Sequence, residues 1–208
     1  MIDRRIALLT EYQNAAYAAH YASVVRRIRE AEAANSPGET ALTDAVARAL
    51  FKLMAYKDEY EVARLLTQPD FQQQIRDLWQ SAESVSYNLH PPILRSLGLK
   101  KKLKLGSWFR GPLWLLARMK GLRGTPVDPF GYASIRREER ALIAWYRQLV
   151  EEVLERVTPE NLALAIEVVC LPDQIRGYEH IKMESIRNVK RLAQEKLALV
   201  RQAPQVPA

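Results

Sequence analysis

Three observations predict an all-α fold. Apolar residues recur at spacings of three and four over long windows. No segment alternates with the period of two that a half-buried strand requires. Glycine and proline, which interrupt helices, are concentrated in residues 91–131. The expected architecture is a bundle of about five long helices plus short ones. It forms a single domain over residues 1–202, with an irregular basic connection at 91–131 and a flexible tail at 203–208.

The first helix is expected over residues 3–34. Leu8, Tyr12, Ala15, Ala19 and Ala22 form one stripe, small enough for another helix to approach closely, and Tyr17, Tyr21, Val24 and Ile28 form a second. Asn35-Ser36-Pro37-Gly38 stops it. The second helix is expected over residues 40–67, because Leu42, Val46, Ala49, Leu53, Tyr56, Tyr60 and Ala63 hold an a/d seam. That seam makes it the central helix, and the short connection makes the first two antiparallel neighbours.

Thr67 is placed to cap a third helix, with Pro69 and Asp70 in its first turn and Phe71, Ile75, Leu78 and Trp79 on or beside its inner face. The Asn88-Leu89-His90-Pro91-Pro92 corner ends that order. A short helix over residues 112–120 carries Leu113, Trp114, Leu116 and Ala117. Gly121, Gly124, Pro126, Pro129 and Gly131 then make a rigid, tightly turned connection.

A long helix follows over residues 134–157, facing inward through Leu142, Trp145, Tyr146, Leu149, Val153 and Val157. Thr158-Pro159-Glu160 opens the next helix, which buries Leu162, Ile166 and Val169 and stops before Pro172. The last helix spans residues 178–202, with Ile186, Val189, Ala193, Leu197 and Val200 inside.

Composition narrows the function. The chain has 208 residues, 48% of them hydrophobic, enough to bury a core without covalent staples. Its one cysteine, Cys170, excludes an internal disulfide, a CxxC pair and a four-thiolate metal or iron–sulfur site carried by this chain alone. Cys170 lies on an apolar helix and is read as a core residue. The three histidines are far apart, so no metal is expected. The sequence has no GxGxxG, P-loop or GxSxG pattern and no spacing that suggests a nucleophile with its base, so no catalytic residue is assigned. No apolar run is long enough to span a membrane, and the opening Met1-Ile2-Asp3-Arg4-Arg5 lacks a signal peptide's apolar stretch, so a cytoplasmic protein is expected.

The net charge of +7 is local. Residues 84–127 contain no Asp or Glu and nine Lys or Arg, whereas the rest carries 22 basic and 24 acidic residues. Lys100, Lys101, Lys102, Lys104, Arg110 and Arg123 are therefore the candidate contacts for an anionic partner, against the plainer reading of a solvated loop. The lysine run lacks the interleaved aromatics of a nucleic-acid stacking platform.

Two polar clusters stand out. In the first, Lys52, Tyr56, Lys57, Asp58, Glu59, Glu61 and Arg64 lie within one expected helix, with Lys57–Glu61 and Tyr60–Arg64 four apart and Lys52 and Glu59 on one face two turns apart. Surface ion pairs are the ordinary explanation, and a polar network or interface is the alternative. Asp128 in the Gly/Pro connection joins the same candidate set. The second cluster, from Asp173 through Arg176 and His180 to Lys182, turns through Gly177. It is either a helix-capping corner or an anion contact at a helix start.

Three stretches carry a resemblance to a family. They are Leu50-Phe51-Lys52-Leu53-Met54-Ala55-Tyr56-Lys57-Asp58-Glu59-Tyr60-Glu61-Val62-Ala63-Arg64-Leu65, Gly121-Leu122-Arg123-Gly124-Thr125-Pro126-Val127-Asp128-Pro129-Phe130-Gly131-Tyr132, and Leu171-Pro172-Asp173-Gln174-Ile175-Arg176-Gly177-Tyr178. In this order they resemble the C-terminal helical region of fused indolepyruvate ferredoxin oxidoreductases, as do Leu9-Thr10-Glu11-Tyr12-Gln13-Asn14-Ala15-Ala16-Tyr17-Ala18 and the Pro91-Pro92 corner. The likeness extends over residues 3–194, except that the segment after that corner is here short and purely basic.

The resemblance implies a parent enzyme that oxidatively decarboxylates an arylpyruvate to an aryl-acetyl-CoA and reduces ferredoxin. Thiamine diphosphate, iron–sulfur clusters and coenzyme A are implied for other parts of that enzyme, and none for this chain. The expected role is a non-catalytic accessory domain whose partners are the catalytic domains or subunits, with ferredoxin as a candidate partner of the basic stretch. A chain that opens directly on a long helix also fits a domain continued from upstream. The rival expectation is a free-standing helical module for an anionic partner such as nucleic acid.

Overall fold

The computed structural model describes residues 1–78, 87–89 and 103–202. The fold is all-α, and the one β pairing among the described residues is a short ribbon. Two compact units divide the chain: Met1–Ala55 with Glu138–Ala208, and Tyr56–Arg137.

The first unit contains α1 (Ile2–Tyr12), α2 (Ala15–Asn35) and α3 (Ala41–Met54). After the second unit the chain returns within α7 (Ser134–Leu154), and then adds α8 (Leu162–Cys170), a 3-10 turn (Leu171–Gln174) and α9 (Glu179–Gln202). Its core gathers Tyr21, Ile28, Leu42, Val46 and Leu50 from α2 and α3 with Leu142, Tyr146, Val153, Val169, Ile186 and Leu197. Helix α3 is central: nine of its fourteen residues are buried, and it packs on α1, α2 and α8.

Helices α2 and α3 are antiparallel. The Tyr21 hydroxyl donates to Ala47 O (2.9 Å), and the Tyr17 hydroxyl donates to Met54 O (3.0 Å). At the other end, the buried Glu32 carboxylate accepts from the backbone N–H groups of Leu42 and Thr43, both at 2.8 Å. The neighbouring helix thus supplies an acid to the first turn of α3, where Thr40 makes no side-chain cap.

The second unit contains α4 (Glu59–Thr67), α5 (Pro69–Leu78), β1 (Tyr87–Leu89) and β2 (Leu103–Leu105). A 3-10 turn (Ser107–Phe109), α6 (Arg110–Arg118) and a second 3-10 turn (Met119–Leu122) follow. The strands pair antiparallel, with Asn88 opposite Lys104. Ala63 and Leu113 form a small core with Leu66, Phe109, Leu116 and Ala117, by which α4 and α6 pack together.

Two expected helices are each cut by a cap. The first stops at Tyr12, and α2 restarts after Asn14, whose side chain accepts from Tyr17 N (2.8 Å). The buried face of α2 is Ala18, Tyr21, Val25, Ile28 and Glu32, and the small stripe through Ala15 and Ala19 faces outward. The second stops at Met54, and α4 restarts after Asp58, whose side chain accepts from Glu61 N (2.8 Å). The seam from Leu42 to Ala63 therefore divides between the two units.

Other boundaries shift for local reasons. Gln68 takes the extended conformation that Pro69 imposes on its predecessor, and the Thr67 hydroxyl bonds back to Ala63 O (2.8 Å) rather than capping α5. Leu78, expected inside, is exposed. Helix α8 opens at Leu162 rather than Pro159, because the Asn161 side chain closes a turn between Thr158 N and Arg156 O, each at 2.8 Å. Ala165 and Val168 join Val169 in the core, while Leu162 and Ile166 are half-buried. The inner stripe of α9 is as expected at all five positions.

Candidate functional site

The densest polar cluster forms where α4 begins. Asp58 accepts at Oδ2 from Arg123 Nε (2.5 Å) and at Oδ1 from Arg123 Nη2 (2.9 Å), while the same Oδ1 caps Glu61 N. Both side chains of this bidentate pair are 3% exposed. Beside it, the Tyr60 hydroxyl donates to Asp128 Oδ1 (3.0 Å). Asp128 also accepts from Phe130 N (3.0 Å) as an Asx turn and from Gly124 N (2.8 Å). The Arg123 guanidinium lies 5.6 Å from the Tyr60 ring centroid, and Phe130 meets that ring edge-on at 5.2 Å.

Burial together with the hydrogen bond to the Asp128 carboxylate pushes the Tyr60 hydroxyl well above its usual range. A Cβ at Gly131 would stand 2.7 Å from Asp128 Oδ2, so only glycine leaves this carboxylate undisturbed. Glycine at 124, with φ at 75°, permits the turn that presents its N–H. Two further pairs flank the cluster: Glu61–Arg64 (both contacts 2.8 Å) and Glu59–Arg136 (3.2 and 3.4 Å). Burial raises the Glu59 carboxyl's pKa, and Arg136 opposes that shift.

These carboxylates are engaged by donors from their own unit. The arrangement fixes the residue 121–131 connection against the start of α4.

A second cluster lies at the corner between α8 and α9. The Lys52 ammonium, from α3, donates to Pro172 O and Asp173 O (both 2.9 Å) and to Ile175 O (3.3 Å). Four residues earlier, Arg48 Nε pairs with Asp173 (3.1 Å) and Nη2 reaches Cys170 Sγ (3.4 Å). Burial lowers the Lys52 pKa, Asp173 opposes this, and Arg176 and Lys182 reinforce it. Lys52 thus gathers three carbonyls of the turn that follows α8, while Arg48 neutralises the Asp173 carboxylate beside them. Lys182 in turn pairs with the buried Glu139 of α7.

Sequence patterning named the right residue types in both clusters but not their partners. Lys52 joins the Asp173 corner instead of Glu59, and Glu61 takes Arg64 instead of Lys57, which is exposed. Tyr56 is buried, whereas Arg176 and His180 are exposed. Arg123, expected as an anion contact at the surface, is instead buried on Asp58, because desolvating it requires a full counter-charge. Arg110 is exposed at the start of α6. Lys100, Lys101 and Lys102 lie outside the described residues, as does the side chain of Lys104, whose backbone is in β2. Cys170, expected in the core, is half-buried under Arg48.

Sequence reasoning missed Arg48, Arg136 and the capping role of Glu32, each paired with a residue distant in sequence. Asp128 carried a signal, since Asp128-Pro129-Phe130-Gly131 has turn chemistry.

Among the described residues, no group of three or more His, Cys, Asp or Glu could hold a metal ion, and no helix is long and apolar enough to cross a membrane. Fold and clusters together define an all-α protein with two internally paired charge networks. The chain belongs to the family described as "Family of unknown function (DUF6537)", which matches residues 1–195. Searches of curated proteins and of solved structures gave no match.

Proposed function

We propose that the chain is a non-catalytic helical accessory domain of a cytoplasmic, indolepyruvate ferredoxin oxidoreductase-like enzyme. Its parent would oxidatively decarboxylate an arylpyruvate to an aryl-acetyl-CoA and reduce ferredoxin. One observation carries the reading. The three stretches on which the resemblance rests are those that the hydrogen-bond networks secure: Asp58 and Tyr60 hold the 121–132 stretch, and Lys52 holds the 171–178 stretch. That these stretches serve as internal joints supports a structural role for the chain.

Thiamine diphosphate, iron–sulfur clusters and coenzyme A belong, on this reading, to the parent's other domains. A single cysteine, half-buried beside Arg48, does not fit a four-thiolate cluster. The work assigned to the chain is to pack against the catalytic domains, and Lys100, Lys101, Lys102 and Lys104 are offered as a contact for acidic ferredoxin.

The test is reconstitution. The purified chain, assayed with an arylpyruvate, thiamine diphosphate, coenzyme A and ferredoxin, should show no turnover. It should form a stable complex with the thiamine- and cluster-binding domains from the same organism. Turnover by the chain alone, or no association with those domains, would refute the proposal.

A further inference from the structure

Helix α6 is apolar on two faces. Leu113, Leu116 and Ala117 face inward to the core of the second unit. On the other side Trp114 is 50% and Leu115 57% exposed, and Trp108, in the preceding turn, is 68% exposed. Core packing does not account for these exposed side chains, and large exposed apolar groups that gather on one element mark interaction sites. Arg110 and Arg118, both exposed, bracket Trp114 and Leu115 at the two ends of this nine-residue helix. The Arg118 guanidinium lies 3.8 Å from the Trp114 ring centroid.

We infer that this stripe docks an acidic protein surface, with Trp114 and Leu115 as its apolar centre and Arg110 and Arg118 as its charged ends. Tryptophan and arginine are the residues that most often anchor protein interfaces. Charge complementarity selects the partner. Residues 84–127, which include all of α6, hold no acidic residue, so the partner supplies the negative charge, and the apolar centre between the two arginines suits a protein surface that carries it on carboxylates. The same face of a second copy would set like charges against each other. A nucleic acid would leave the branched aliphatic Leu115 at the centre of the stripe without an apolar counterpart, which a protein surface supplies. The inference rests on the α6 face alone and stands whether or not the parent enzyme is correctly proposed.

The test uses the 208-residue chain and four probes. They are a labelled peptide alternating Glu with Leu and Phe, labelled poly-glutamate, labelled oligo-thymidine, and phosphatidylcholine/phosphatidylserine vesicles. The mixed peptide should bind most tightly by fluorescence anisotropy. Trp114→Ser with Leu115→Ser should weaken it at least about tenfold, as expected for hot-spot residues, without lowering the melting temperature. Arg118→Gln should weaken it mainly at low salt. Leu115→Glu, a single reversal at an exposed position, gives the same readout if the double variant folds poorly.

The inference is overturned if the peptide fails to bind, if the variants bind like the original chain, or if poly-glutamate binds as tightly as the mixed peptide. Preference for oligo-thymidine or vesicles, lost in the same variants, overturns it in favour of those surfaces.

Discussion

Asp58 and Arg123 are 65 residues apart in sequence and form a two-pronged ion pair with both side chains 3% exposed. Asp58 does two jobs at once, capping α4 through Glu61 N and neutralising a buried guanidinium. Removing the acid alone strands a charge in a dry site. Asp58→Ala should therefore cost about 3–5 kcal/mol. Asp58→Ala with Arg123→Met should cost clearly less than the sum of the two single changes, because the stranded charge is gone. Urea denaturation of the four proteins measures this coupling, and additive losses would show that the pair is not coupled.

Gly131 and Asp128 make a tighter contact. A methyl group at position 131 would meet Asp128 Oδ2 at 2.7 Å and Cγ at 2.9 Å. That carboxylate cannot retreat without losing Tyr60, Gly124 and Phe130. Gly131→Ala should destabilise by about 1–3 kcal/mol, the usual cost of overpacking. Gly121→Ala, where nothing lies within 4 Å, is the control. Equal melting temperatures for the two variants would contradict the contact.

Leu53 faces the core of the first unit from α3, although the helix expected to carry it onward ends one residue later. Leu53→Ala should cost ~2–5 kcal/mol, as large-to-small core changes do. Leu115→Ala, on an exposed site, should change stability by less than about 0.5 kcal/mol. A Leu53 loss no larger than that of Leu115 would place Leu53 in water.

The helical content was legible because burial dictates periodicity, and α9 shows this at Ile186, Val189, Ala193, Leu197 and Val200. The cuts at Asn14 and Asp58 were hidden for a physical reason. The caps themselves are local, but the apolar rhythm continues unbroken across both joints and reads as one helix through each. The site followed the same pattern. Turn chemistry at Asp128 is local and readable, whereas the Asp58–Arg123 pair and the grip of Lys52 on the 172–175 carbonyls are long-range. Arg123 was misread because its neighbours in sequence are basic and exposed, while its partner in space is an acid.

Tyr146 should contribute to a loss of stability at alkaline pH. Its hydroxyl is buried and donates to Val169 O (2.8 Å), and burial raises its pKa well above the ordinary value of 10.0. Tyr60 is raised in the same direction, by burial and by Asp128. The sign follows from linkage. Below pH 10 both states keep these protons, so the contribution is fully present. As pH rises past the unfolded value of 10.0, the unfolded chain loses protons that the folded chain retains, and stability falls. Urea midpoints should therefore stay level with respect to these groups up to about pH 9 and decline above pH 10. Tyr146→Phe should shift the whole curve and make the decline shallower, because one of the retained protons is removed. An unchanged slope above pH 10 in Tyr146→Phe would mean that this hydroxyl ionises as readily in the folded protein as in the unfolded chain.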